Sequence, residues 1–534
     1  MTSACFTSWR TVAALALLNA SLTFENVWPT PRVRWSSALS LELAACVLLM
    51  VLAYRWSGRL TARVLPIAWV LLVAGHYLDV TAPGLYGRDF NLYWDSQHLG
   101  NVAAMLARDV PWWLLASVTG AAVLCITAAF VLSRIALRQV AAATVKPLSR
   151  RVLGSVAAMV IALFTVQQLS GASLVPFADS VTPAYARQAR YVLAMVGPGA
   201  AAPALGDSPA FDSRLRGIAG ADVLLVFLES YGAVTFETPG LAAGLTASRT
   251  ALEMAIRDSR RQVVSAYVDS PTFGASSWLA HLSLLTGVEV RDQYAYTSLM
   301  ASTRETLLTH VKSRGYRAVG LMPGMRQPWP EGAFYGFDAI YGHDALDYQG
   351  PQFGWWAIPD QYALAKLDAL ERPSSARAPV FVVFPTSTTH APFGPVAPYQ
   401  QDWSRLLTAN PYDAIDVERA MAANPDLTNL TPSYVRAMAY DFFTLAGYLR
   451  EQRDDPVLII IGDHQPPAAV SGRDAPWRVP VHVISRRRHV LQRLVEHGFR
   501  PGLEPQRPPI GPMHALVPVL LDAFDATELP AETD

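Results

Sequence analysis

Cysteine is nearly missing from this chain: Cys5, Cys46 and Cys125 are all of it, and none follows residue 125. The longer part of the sequence therefore needs no disulfide, even in an oxidising compartment. Charge is scarce too. Asp, Glu, Lys and Arg make up 16% of the 534 residues, against roughly 25% in an average soluble protein. The shortage is local to the first third, where long apolar stretches stand; from about Asp222 onward the composition is that of an ordinary globular enzyme. Formal net charge is zero, which leaves no electrostatic case for nucleic acid. No internal repeat is apparent, and the length suits two or three domains.

What the first third does have is apolar length. Stretches at about Val12–Val27, Ser37–Tyr54, Val64–Leu78, Pro111–Leu132 and Val152–Leu169 are each near the twenty or so residues that span a bilayer. Asn19, Glu25 and Asn26 interrupt the first. A cleaved signal peptide is its rival, but no clear small-residue cleavage site follows it and further spans do. Basic residues in short loops set the orientation. Arg55, Arg59 and Arg63 fall between the second and third spans, and Arg134, Arg138, Lys146, Arg150 and Arg151 between the fourth and fifth. These loops are expected in the cytoplasm, although Arg32 and Arg34 count mildly against the scheme. The plan is a bundle of about five transmembrane helices over residues 1–170, with the rest of the chain outside the plasma (inner) membrane, periplasmic or extracellular. The loop from Val80 to Val110 carries Tyr86, Phe90, Tyr93, Trp94 and His98. It reads as an interfacial aromatic belt or as a platform for a lipid headgroup. Residues 171–220 read as a juxtamembrane linker, with a short amphipathic helix at Ala184–Met195.

From residue 221 to 534 strand-like and helix-like segments alternate, which implies an α/β domain with a largely parallel central sheet. Strands are expected at 223–228, 262–267, 317–322, 379–384, 457–461 and 479–484, and helices at 246–258, 277–285, 303–314, 362–370, 433–451 and 514–526. Two strands deliver chemistry. Val223–Leu228 is a continuous apolar run with Glu229 at its end, and Val457–Ile461 is another, followed by Gly462, Asp463 and His464. In an open α/β sheet ligands gather off the carboxyl ends of the strands. Two carboxylates and an imidazole are a ligand set for zinc or manganese. Gly274–Gly287 places Ser276 or Ser277 where a helix opens, a position suited to holding phosphate. Alone, that stretch reads as a plain helix cap.

Together these motifs resemble the alkaline phosphatase and sulfatase superfamily. The strand ending in Glu229–Ser230, the hydroxyl before Leu285–Thr286–Gly287, the segment Thr389–His390–Ala391–Pro392–Phe393 and Gly462–Asp463–His464 carry the resemblance. More narrowly, they resemble its membrane-anchored phosphotransferases: lipoteichoic acid synthases, phosphoglycerol transferases and phosphoethanolamine transferases. Ser277–Gly287 lies without a gap on the sulfatase signature Cys-x-Pro-Ser-Arg-x-x-Leu-x-Thr-Gly, with Ser277 in the nucleophile's place. Leu279, Ala280 and His281 replace its Pro, Ser and Arg. No cysteine is there to mature into formylglycine, which argues against sulfate ester hydrolysis.

The resemblance implies one divalent metal, zinc or manganese, held by Glu229, Ser277, Asp463 and His464, with Ser277 as nucleophile and Ser276 and Thr272 as alternatives. His390, Arg326, Trp329, Glu331, His281 and Asp360 are the implied substrate-binding residues. The expected reaction moves a phospholipid-derived headgroup, phosphoglycerol or phosphoethanolamine, through a covalent phosphoserine to an envelope glycan or lipid. Alternatives are a membrane-anchored phosphoester hydrolase, for which His343–Asp344 and His390 keep a second metal open, and a non-catalytic envelope scaffold.

Overall fold

Apolar runs that must satisfy their backbone without water become helices, and the first of two compact units, residues 1–200, is built from them. The computed structural model describes residues 2–28, 30–55, 64–86, 89–97, 99–100, 103–104, 107, 110–171, 175–196, 205–327, 329–354, 356–372, 377–452 and 454–527. In order the first unit comprises α1 (Thr2–Ala20), β1 (Phe24–Asn26), β2 (Val33–Trp35), α2 (Leu41–Leu52), α3 (Val64–Tyr86), α4 (Leu92–Gln97), α5 (Trp112–Thr144), α6 (Pro147–Ser170) and α7 (Val181–Val196). Among the described residues three helices are long and apolar enough to cross a membrane: Val64–Leu85, Trp112–Thr144 and Pro147–Ser170.

The five expected spans are modified at three places. The first stretch is helical only to Ala20, because Glu25 turns into β1 and pairs with Arg34 of β2 at 3.0 Å. The second forms the 12-residue α2, about 18 Å of helix. The expected loop between the fourth and fifth is mostly helix: α5 runs through Arg134 and Arg138 to Thr144, and only Val145 and Lys146 precede α6. Pro147 fits the first turn of α6, where its missing N–H is not needed. Arg59, Arg63 and His98 lie outside the described residues, as do the side chains of Tyr86 and Trp94. The amphipathic helix is longer than expected and docks on α3. Arg187 pairs with Asp79 at 2.8 Å, and the Tyr185 hydroxyl donates to the Leu71 carbonyl at 2.5 Å. A Cβ at Gly75 would meet the Tyr185 ring at 2.5 Å, so the glycine lets that ring lie close against α3.

The second unit, residues 201–534, is an α/β domain. It contains β3 (Val223–Leu228), α8 (Thr246–Asp258), β4 (Gln262–Asp269), α9 (Ser277–Thr286), α10 (Gln293–Met300), α11 (Leu307–Ser313), β5 (Arg317–Leu321), β6 (Ala339–Tyr341), α12 (Asp360–Glu371), β7 (Val380–Pro385), α13 (Thr431–Glu451), β8 (Val457–Gly462), β9 (Arg478–Ser485), α14 (Arg488–Glu496), β10 (Arg500–Pro501) and α15 (Leu516–Asp525). The eight-stranded sheet has the order β10-β4-β9-β8-β3-β7-β5-β6. The pairs β8–β3, β3–β7, β7–β5 and β5–β6 are parallel, while β9 runs antiparallel to both β8 and β4.

The apolar runs of β3 and β8 make sense in the middle of this sheet, where both faces are covered. Leu225, Phe227, Ile459 and Ile461 join a core with α9, α11 and α15. Leu224, Val226, Leu458 and Ile460 face the opposite way, into a core with α8, α12 and α13. Register brings the strand ends together: Leu228 is opposite Gly462, and Phe227 is opposite both Ile461 and Pro385. The next residues, Glu229, Asp463 and Thr386, therefore emerge at one rim. Two glycines let the exits pack: a Cβ at Gly462 would lie 1.8 Å from the Tyr231 carbonyl oxygen, and one at Gly232 would lie 1.7 Å from Gln465 Oε1.

Candidate active site

At that rim the chain turns sharply after Glu229. Ser230 has φ 58°, a left-handed conformation uncommon outside glycine. The turn ties the two carboxylates together. The Ser230 N–H donates to Asp463 Oδ1 at 2.8 Å, and its hydroxyl donates to Glu229 Oε1 at 3.1 Å. Asp463 Oδ1 also accepts the His464 N–H at 2.7 Å. The Glu229 N–H donates to Thr386 Oγ1 at 3.1 Å, which fixes β3 to the end of β7.

The serine arrives from the other side. The Gly274 N–H donates to the Gln465 carbonyl at 3.2 Å, anchoring the loop before α9 to the end of β8. Ser276 takes the left-handed N-cap position, φ 67°, without a side-chain cap bond, and Ser277 opens the helix. Thr272 is buried and spends its hydroxyl on the Ala275 carbonyl at 2.6 Å. The Ser277 hydroxyl donates to Glu229 Oε2 at 2.8 Å and lies 3.1 Å from His464 Nε2.

His464 Nδ1 lies 2.7 Å from the Gln465 carbonyl oxygen, so Nδ1 carries a proton and Nε2 faces the serine. Nε2 is 3.4 Å from Glu229 Oε1 and 3.7 Å from Asp463 Oδ2. Asp463 Oδ2 is buried with no hydrogen-bond partner among the described residues. Burial, and then the neighbouring Glu229, push the Asp463 carboxyl up to about 7. Burial works against a charged His464, but Asp463 and Glu229 outweigh it and hold the imidazole above its usual range. The pocket thus concentrates negative charge that calls for a cation. One ligand atom each from Glu229, Asp463 and His464 lie within 4.8 Å of one another, the one such group among the described residues. Carboxylate oxygens and an imidazole nitrogen, with one carboxylate oxygen left unpartnered, fit a divalent metal ion.

The other expected residues fall at different distances from this centre. His281 lies on α9, with Nε2 4.0 Å from Asp463 Oδ2, and its ring meets Phe227 of β3 at a centroid separation of 4.2 Å. His390 Nδ1 lies 2.8 Å from the Ala391 carbonyl oxygen, and its ring packs on Trp356 with centroids 4.4 Å apart. Burial, assisted by His464, holds His390 below its usual range. Asp360 is tied to the segment that leads to His390. It is buried, and its carboxylate accepts the Ser387 N–H at 2.9 Å, the Thr388 N–H at 2.7 Å and the Ser387 hydroxyl at 3.2 Å. It therefore positions the loop carrying His390. Arg326 follows a turn that lies against Trp356, since a Cβ at Gly324 would meet that ring at 2.6 Å. Trp329 packs on Tyr335 with centroids 5.1 Å apart, and Glu331 is exposed ahead of the short helix Gly332–Tyr335. His343 Nδ1 lies 3.0 Å from Asp344 Oδ1, its neighbour in the expected pair, and the Asp344 carboxylate is exposed. The residues that sequence reasoning passed over are Ser230 and Thr386; the signal for Ser230 was its place directly after Glu229.

No protein-family model matches the chain, and no curated protein compared with it does. Solved structures do. The chain is similar to the lipooligosaccharide phosphoethanolamine transferase A of Neisseria meningitidis, at 15% identity and a TM-score of 0.48, over 96% of this chain and 95% of that one. It is similar to the lipoteichoic acid synthase LtaP of Listeria monocytogenes, at 13% identity and a TM-score of 0.38, over 60% of this chain and 76% of that one. A Vibrio parahaemolyticus protein in the alkaline phosphatase superfamily gives 18% identity and a TM-score of 0.38, over 62% and 71%. At these identities the likeness is one of fold alone.

Proposed function

We propose that this protein is a metal-dependent phosphotransferase that takes phosphoglycerol or phosphoethanolamine from a membrane phospholipid and passes it to an envelope glycan or lipid. The observation that carries the reading is the Ser277 hydroxyl, within hydrogen-bond reach of both Glu229 and His464 in a buried carboxylate and imidazole pocket. Glu229, Asp463 and His464, with Ser277, would hold one zinc or manganese ion. Such a cation lowers the pKa of a hydroxyl and polarises a phosphoryl oxygen.

The chain's own groups supply the rest. Ser277 Oγ forms a bond to phosphorus as the bond between phosphorus and the diacylglycerol oxygen breaks. The serine proton passes to Glu229 Oε2, which already accepts it, and the diacylglycerol oxygen takes a proton from a water molecule as it departs. His390, kept neutral by burial with its Nδ1 proton given to the Ala391 carbonyl, offers Nε2 as the base that takes the proton of the acceptor hydroxyl, while Glu229 returns its proton to Ser277. An acceptor hydroxyl then attacks the phosphoserine and restores Ser277. The apolar helices support a lipid donor, because an enzyme embedded in the bilayer meets its substrate there. The orientation read from the sequence puts the catalytic domain on the outer face of the membrane.

The second reading, hydrolysis, uses the same serine with water as acceptor. It is less favoured because the described residues provide a single metal-ligand group. Full-length protein in mixed micelles of phosphatidylglycerol and phosphatidylethanolamine, supplied with zinc or manganese, should release diacylglycerol, and Ser277→Ala should release none. Headgroup recovered on an added glycan or lipid acceptor supports transfer, whereas free phosphoglycerol or phosphoethanolamine supports hydrolysis. Equal release by wild type and Ser277→Ala contradicts both.

A further inference from the structure

His281 and Asp463 turn towards each other two buried polar atoms, Nε2 and Oδ2, that have no hydrogen-bond partner among the described residues and stand 4.0 Å apart. That gap is too wide for a hydrogen bond, and leaving two such groups unmatched is costly. The surroundings hold both in place. His281 is one helical turn after Ser277 and so shares its face of α9, and its ring rests on Phe227 of β3. Asp463 Oδ1 is already committed to the Ser230 and His464 N–H groups. Oδ2 is the oxygen left for a cation. His281 itself falls outside the group of ligand atoms that lie within 4.8 Å of one another.

We propose that His281 is a positioning residue for the metal site. Its Nε2–H donates to the second lone pair of Asp463 Oδ2 when that oxygen ligates the cation, fixing the carboxylate's rotation. The inference rests on the metal-binding reading above. Ligating carboxylates are commonly held by such outer partners, whose loss weakens metal binding by about 10–100-fold.

The test is zinc affinity, measured by chelator competition on the metal-stripped full-length protein in detergent, together with its melting temperature. His281→Leu keeps the bulk and removes the donor; His281→Gln returns an amide N–H near the same place. Zinc binding is expected to weaken about 10–100-fold in His281→Leu and to recover most of that loss in His281→Gln. The metal-free melting temperature of His281→Leu should equal or exceed the wild type's, because an unmatched buried group is gone. Wild-type zinc affinity in His281→Leu would overturn the assignment. So would an affinity loss shared by both variants and accompanied by a lower metal-free melting temperature, which would mark a packing role. If wild type binds neither zinc nor manganese, the metal-site reading fails and takes this inference with it, an outcome distinct from tight wild-type binding that His281→Leu leaves unchanged.

Discussion

At the scale of residues, two negative groups are packed beside a serine with too little positive charge to balance them. This has a sign that can be checked. The Asp463 carboxyl, raised to about 7, holds a proton in the folded, metal-free protein at pH values where the unfolded chain has released it. Its stabilising contribution is complete below the ordinary carboxylate range and is lost as pH rises through about 7. His464, also raised, contributes in the same direction. The melting temperature of metal-stripped protein should therefore fall between about pH 5 and about pH 8, and Asp463→Asn should flatten the fall. Zinc or manganese at the higher pH should restore stability through binding to the native state. A metal-stripped wild type with a flat profile, followed by differential scanning fluorimetry, would contradict this electrostatic picture. Glu229, Asp463 and His464 were legible in the sequence because each stands directly after an apolar run too continuous for anything but a central strand. Ser277 was read as the nucleophile with Ser276 as its nearest rival. What separates it from Ser276 is the left-handed N-cap turn, which no composition reveals.

At the scale of elements, the site depends on how closely the exits of β3 and β8 pass each other. Gly462→Ala would place a methyl group 1.8 Å from a backbone oxygen. The exit of β8 must then move, at a cost of about 3 kcal/mol or more, and a thermal melt should show a large loss of stability. A melting temperature equal to the wild type's would mean that the two exits are not packed as described. Asp360 makes a subtler prediction. Asp360→Asn keeps one accepting oxygen and turns an NH2 donor towards the Ser387 and Thr388 N–H groups in place of the other, a loss of about 1–3 kcal/mol of local order. It should raise KM for the phospholipid through the displaced His390 loop while leaving zinc affinity intact, as steady-state kinetics and a metal titration would reveal. An unchanged KM would leave Asp360 a purely structural residue. The sequence could not assign this work to Asp360, because its partners are more than twenty residues away and meet it only in the folded domain. The long central strands were readable from their apolar runs. The short β6 and β10 were not, since strands of three and two residues carry no periodicity. Nor was α14, whose buried face is only Val490, Leu491 and Leu494.

At the scale of the whole molecule, an apolar helical unit precedes an α/β unit on one chain. The α/β fold was legible from alternating segments. The count of spans was less so, because hydropathy does not distinguish a full span from the 12-residue α2, nor foresee that α5 continues past Arg134. The orientation carries its own prediction: a cysteine introduced at Val145, between α5 and α6, should be shielded from an impermeant thiol reagent in intact cells, whereas one at exposed Leu427 should react. The opposite labelling would invert the topology. The central claim, that Ser277 carries the transferred group, is tested most directly by intact mass. Full-length protein is incubated with zinc or manganese and mixed phospholipids, beside Ser277→Ala and Ser276→Ala. The account predicts a headgroup-sized adduct on wild type and Ser276→Ala that is absent from Ser277→Ala, with fragmentation placing it on Ser277. An adduct that survives in Ser277→Ala and disappears in Ser276→Ala would contradict it.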